Sequence, residues 1–115
     1  MNLINTISDN ARQRQTFPLD DGTTFEMAIY YIPMQLGWFI EELKYGDFVL
    51  NSLRITNSPN MLHQFKNKLP FGLACISIDD REPSQRNDFA TEKSSIYILN
   101  QEEVKEYEVY LSEGN

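Results

Sequence analysis

Cysteine, histidine and tryptophan each occur once in this chain of 115 residues, as Cys75, His63 and Trp38. A lone cysteine cannot close an internal disulfide, so no oxidised framework is available to hold the fold. One histidine and one cysteine cannot complete a closed zinc site of the usual kind. Long apolar runs are also missing: nothing approaches the ~18 consecutive residues that cross a bilayer. Residues 1–10 lack the basic-then-apolar layout of a signal peptide. A soluble chain made in the cytosol, without membrane contact, is the expectation. Basic residues are outnumbered, 10 against 17 acidic, for a formal net charge of -7. Such a surface repels DNA and anionic lipid, so no direct nucleic-acid binding is expected. There is no Gly-rich phosphate loop, no GxSxG elbow and no HExxH pair.

What is present is the material of one small folded domain. Hydrophobic residues make up 41% and aromatic residues 12%, too many for a disordered chain, and the length suits a single core. The charge is uneven. Residues 1–70 carry 6 basic and 7 acidic residues, a net of -1, whereas residues 71–115 carry 4 and 10, a net of -6. Glu102, Glu103, Glu106, Glu108 and Glu113 crowd the end. A charge run of this kind is a solvated face or an electrostatic match to a basic partner.

Residues 1–15 are polar apart from Leu3, Ile4 and Ile7, which reads as an extended arm or a first edge strand. After an Asp21-Gly22 turn, Phe25, Met27, Ile29 and Tyr31 alternate with Thr24, Glu26, Ala28 and Tyr30, the period of a half-buried strand. Pro33 ends it. A second strand covers residues 38–43. It carries Trp38 and Ile40 on one face and Phe39 and Leu43 on the other, so both faces hold apolar groups. Residues 45–47 make a tight connection to a third strand over 48–56, an antiparallel hairpin. Ser58-Pro59 has the form of a helix opening, with serine as N-cap and proline in the first position, and predicts a short helix ending near Lys68. Residues 73–78 and 95–99 read as further strands, separated by a polar loop over 79–92 that contains Pro83 and Phe89. The tail fits one helical turn from Gln101, followed by extended chain. The sum is a mainly β fold, a small antiparallel β-barrel or sandwich of five or six strands with one short helix. It divides into an arm (1–15), a β-rich domain (16–103) and an acidic tail (104–115).

Reactive constellations are weak. His63 has no orienting carboxylate or nucleophile assignable by spacing. Cys75 lies in an apolar strand, where a thiol behaves as a small hydrophobe. Asp79, Asp80, Glu82 and Asp88 share one loop, but their spacing is not that of a calcium loop, and Arg81 and Arg86 interleave to neutralise them. Glu41 and Glu42 point to opposite faces of a regular strand, so they cannot act together on one bond. A small hydrolase would rest on that acidic loop and His63 alone. No enzymatic activity, metal or cofactor is expected.

The aromatic residues point elsewhere, because six Tyr, seven Phe and one Trp furnish interfaces as readily as cores. The candidate contact residues are Trp38, Phe89 and the arm residues Ile4 and Ile7. Several features recur in a recognisable order. They are the alternating strand at residues 25–31, then Gly37-Trp38-Phe39-Ile40, and a hairpin with residues 50–54. Pro59-Asn60-Met61-Leu62 follows, then Gly72-Leu73 before a strand, the loop with Asp88-Phe89, and Ile96-Tyr97-Ile98-Leu99 with Glu103. In this order they resemble the small baseplate plug proteins of contractile-tailed phages, over residues 16–103. The resemblance implies a non-enzymatic structural part of the virion, made in the host cytoplasm. It implies neighbours among hub or spike, tail tube or tube initiator, and wedge proteins, and copies of itself in a symmetric ring. It supplies no catalytic or ligand residues. An alternative within the same reading is a non-enzymatic assembly chaperone or binding module absent from the mature particle, suggested by the acidic tail.

Overall fold

The structure, a computed structural model, describes residues 1–113, with side chains through residue 109. Four strands form one antiparallel sheet in the order β2-β3-β4-β5: β2 (Arg12–Pro18), β3 (Thr24–Ile32), β4 (Gly37–Tyr45) and β5 (Phe48–Arg54). In β3 the alternation holds, with Phe25, Met27 and Ile29 buried. The β4–β5 hairpin turns on two residues, and Gly46 at φ 56° takes the left-handed conformation that glycine adopts without a Cβ clash. In β4 the buried set is Trp38, Ile40 and Leu43, which no single period-two face can contain. The pairing explains it. Ala28 faces Glu42 but Ile29 faces Ile40, so Glu41 is an extra residue, a β-bulge. The bulge resets the phase and turns all three apolar residues to the core. It also corrects the expectation for the paired glutamates: Glu41 and Glu42 both reach the outer face, to Arg12 and Arg14 respectively.

Three further strands form a second sheet in the order β1-β7-β6: β1 (Asn2–Ile4), β6 (Gly72–Ser77) and β7 (Ser94–Leu99). Its β6 edge is covered by residues 57–61. Ser58 and Cys75 exchange two backbone hydrogen bonds of 2.9 Å, Met61 N–H donates to the Leu73 carbonyl, and Ser77 N–H donates to Asn57 Oδ1. This replaces the short helix expected from Ser58-Pro59: the backbone of Ser58 is taken by the sheet edge, leaving only a single 3-10 turn at His63–Phe65. Asn60 locks the clip, its Oδ1 accepting from Leu62 N–H and Leu73 N–H. The fit is close enough that a Cβ on Gly72 would lie 2.6 Å from that oxygen.

The two sheets stack as a mainly β sandwich, not a closed barrel, with seven strands among the described residues instead of five or six. Phe17, Phe25, Phe71 and Tyr45 follow one another ring to ring through one end of the core. The arm expected over residues 1–15 belongs to the fold: β1 pairs with β7, β2 pairs with β3, and Ile4 and Ile7 are buried between them. The acidic tail is likewise structured. Residues Gln101–Glu113 form α1, longer than the single turn expected; Gly114 and Asn115 lie outside the described residues. Asn100 and Glu103 start it with reciprocal bonds, Glu103 N–H to Asn100 Oδ1 and Asn100 N–H to Glu103 Oε1. This is a capping box. Val104 then packs on Ala74 and Leu99. Among the described residues no helix is long and apolar enough to cross a membrane.

Candidate functional site

All four candidate contact residues lie inside the molecule. Ile4, Ile7 and Phe89 are buried and Trp38 is 0% exposed. Trp38 and Phe89 meet edge to face with centroids 5.7 Å apart. The Trp38 indole N–H donates to the Gln85 carbonyl and the Tyr31 hydroxyl to the Ser84 carbonyl. These side chains hold the 79–93 loop against the sandwich, so they offer no surface to another protein. The reason is the bulge in β4, which gives Trp38 the same face as the rest of the core.

The acidic loop does not gather its carboxylates. Asp79 pairs with Arg81, which holds its carboxyl below the usual range. Glu82 accepts from Asn57 N–H, and buried Asp88 accepts from Ser84 N–H and Gln85 N–H. These three acids are spent on organising the loop. The small hollow they line with Ser94 has a volume of about 30 Å³, the share of one water molecule. No group of three His, Cys, Asp or Glu among the described residues comes close enough to hold a metal ion. Burial pushes the Cys75 thiol up to about 12, with the charge of Glu82 adding to the effect. His63 stands at the α1 contact: its Nδ1 is 2.6 Å from Glu108 Oε1, while Lys66 Nζ donates to Glu108 Oε2 at 2.8 Å. That is a clasp between a helix and the 62–68 segment.

The exposed apolar side chains lie elsewhere, at positions the sequence reading did not select. The connection Pro33–Gln35 between β3 and β4 carries Met34, 96% exposed, and is followed by Leu36, 58% exposed. Leu36 sits at φ 47°, ψ 53°, a left-handed conformation costing a branched side chain roughly 1–2 kcal/mol. The guanidinium of Arg54 stands over the Phe39 ring, 5.3 Å from its centroid, and reaches the carbonyls of Gln35 and Leu36. A strained turn held by its neighbours, with two aliphatic side chains in water, is a built feature. The sequence signal was available: Met34 and Leu36 are apolar residues in a connection, where polar ones are the rule. On the outer face of the three-stranded sheet, Leu3, Ile76 and Ile78 are also exposed, beyond the part that α1 covers.

At the opposite end of the sandwich a cleft of about 310 Å³ opens between the β2–β3 turn, the start of β6 and the start of α1. Leu19, Phe71 and Leu99 contribute apolar walls; Asp20, Asp21 and Glu102 contribute carboxylates. The Asp21 carboxylate is already occupied by the Thr23 hydroxyl and N–H, which hold it below the usual range. Asp20 and Glu102 make no ion pair among the described residues. Compared with protein-family models and with curated proteins, the chain matches none.

Proposed function

We propose that this chain is a structural component of the baseplate of a contractile phage tail, a plug-like subunit near the hub that links tube, hub and wedge parts. The observation that carries a docking role is the exposed Met34–Leu36 tip, kept in a strained conformation by Arg54. A monomer gains nothing from holding two aliphatic side chains in water, whereas a partner surface rewards a tip whose ordering cost is already met. The setting comes from the resemblance of residues 16–103, whose successive pieces coincide with β3, β4, β5, the 57–61 clip, β6, the 79–93 loop and β7. Ordered copies in a ring and neighbouring baseplate proteins are the partners of this reading, and the finished virion is its location.

The test compares assembling lysate with purified particles of the virus that encodes the chain, by quantitative mass spectrometry. A baseplate part is present in both, in fixed ratio to the other tail proteins. Presence in lysate with loss from finished particles identifies an assembly chaperone instead.

A further inference from the structure

We infer that the Met34–Leu36 tip of one molecule seats in the cleft at the opposite end of a second copy of this chain, joining copies head to tail. The β2–β3 and β3–β4 connections leave β3 at its two ends, and its nine residues span about 30 Å. Tip and cleft are therefore separate surfaces on opposite ends of one sheet. A contact between unlike patches repeats from copy to copy and closes into a ring when the rotation allows. The inference deepens the assembly reading above and rests on it for its setting.

Size and chemistry agree. The cleft of about 310 Å³ equals roughly ten water volumes, room for the roughly eight side-chain heavy atoms of one methionine and one leucine. Half-buried Leu19 and the edges of the otherwise buried Phe71 and Leu99 supply its apolar lining. Charge is complementary as well. Arg54, beside the tip, is stacked on Phe39 and bonded to carbonyls, with no carboxylate at ion-pair distance among the described residues. Asp20 and Glu102, beside the cleft, pair with no cation among the described residues. Docking brings the two sets together. Two side chains bury far less than the ~1,200 Å² of a stable interface, so a single contact is weak and gains strength by repetition around a closed assembly.

Trapping suits a weak contact. Met34 and Gln101 are both exposed, one on the tip and one on the cleft wall, and the native Cys75 is buried and inert to mild oxidants. The full chain carrying Met34→Cys and Gln101→Cys together, oxidised gently, is expected to run on a non-reducing gel as a ladder of trimers and larger species. Each single variant lacks the partner thiol across the contact and is expected to stay monomeric. Adding Leu36→Asp, a residue that tolerates the left-handed conformation, is expected to abolish the ladder while leaving the circular dichroism spectrum unchanged. A double variant that stays monomeric, or that gives only dimers, overturns the head-to-tail contact. The ladder and the particle analysis separate the two claims. A chain found in particles without a ladder removes this contact alone, and a ladder from a chain absent from particles removes the baseplate reading alone.

Discussion

Trp38 shows how one side chain decides between packing and contact. Its ring is fully enclosed by Tyr31 and Phe89, and its N–H is bonded to a loop carbonyl. Replacing Trp38 by alanine is expected to cost roughly 3–5 kcal/mol in urea unfolding. Trp38→Phe keeps most of the packing and removes one of the two donors to the Gln85 carbonyl, which still accepts from Asp88 N–H, at a cost of about 0.5–1.5 kcal/mol. A Trp38→Ala variant melting like the parent would move this residue from core to surface. Gly72 is a second decisive position. Any Cβ there displaces Asn60 from the two backbone N–H groups it serves, so Gly72→Ala is expected to destabilise by about 1–3 kcal/mol despite its small size. Neither role could be read from residue type. Which ring of the Trp38-Phe39 pair faces the core stays open until the bulge at Glu41 shows that Leu43 joins the Trp38 face, and a glycine's neighbours are set by residues twelve places away.

Among the elements, α1 is held by few devices, and each can be removed singly. Asn100→Ala deletes the capping acceptor and is expected to lower stability by about 1 kcal/mol, with faster hydrogen exchange in the first turn of the helix. The clasp at the other end depends on pH. Lys66 first, and His63 after it, hold the Glu108 carboxyl below the usual carboxylate range, against an opposing effect of burial that ranks between them. A carboxyl depressed in the folded state adds stability that is present above its unfolded value and is lost as pH falls through the folded one. The protection factors of amides around Glu108 are therefore expected to fall on acidification below the ordinary glutamate range, and Glu108→Gln to remove that acid-side step. A step unchanged in Glu108→Gln would place its origin in another group.

The elements were unequally legible in the sequence. The strands β3 to β7 follow from alternation, β-branched runs and turn residues, because those signals are local. The helix did not follow from Ser58-Pro59, since the same capping chemistry also suits a segment clipped to a sheet edge. It lay instead after Asn100, where one turn from Gln101 was expected; its full length was hidden because the Asn100–Glu103 capping-box spacing sits in an acid-rich stretch whose apolar residues fit two periods. The 1–15 segment read as an extended arm or a first edge strand because its apolar residues are few; the edge-strand alternative is the one observed, and Ile4 and Ile7 suffice when they face the core of a sandwich.

On the scale of the whole molecule, the chain closes both flanks of its own sandwich, one through residues 5–11 and the other through residues 55–61. Removing residues 1–7 takes Ile4 and Ile7 from the core and the β1 ladder from β7. The truncated chain is expected to lose several kcal/mol, on the order of two large-to-small core substitutions. Unchanged thermal unfolding would contradict the arm's place in the fold. Beside the exposed Leu3, Ile76 and Ile78 on the outer face of the three-stranded sheet, the closed flanks leave the two ends for contact, an apolar tip at one and a walled cleft at the other, and this supports a part that acts by fitting its neighbours. The most direct check is electron microscopy of particles carrying a small tag after residue 115. Density for the tag is predicted at the distal end of the tail, near its axis; labelled chain found elsewhere on the particle, or on no particle at all, would contradict the assignment.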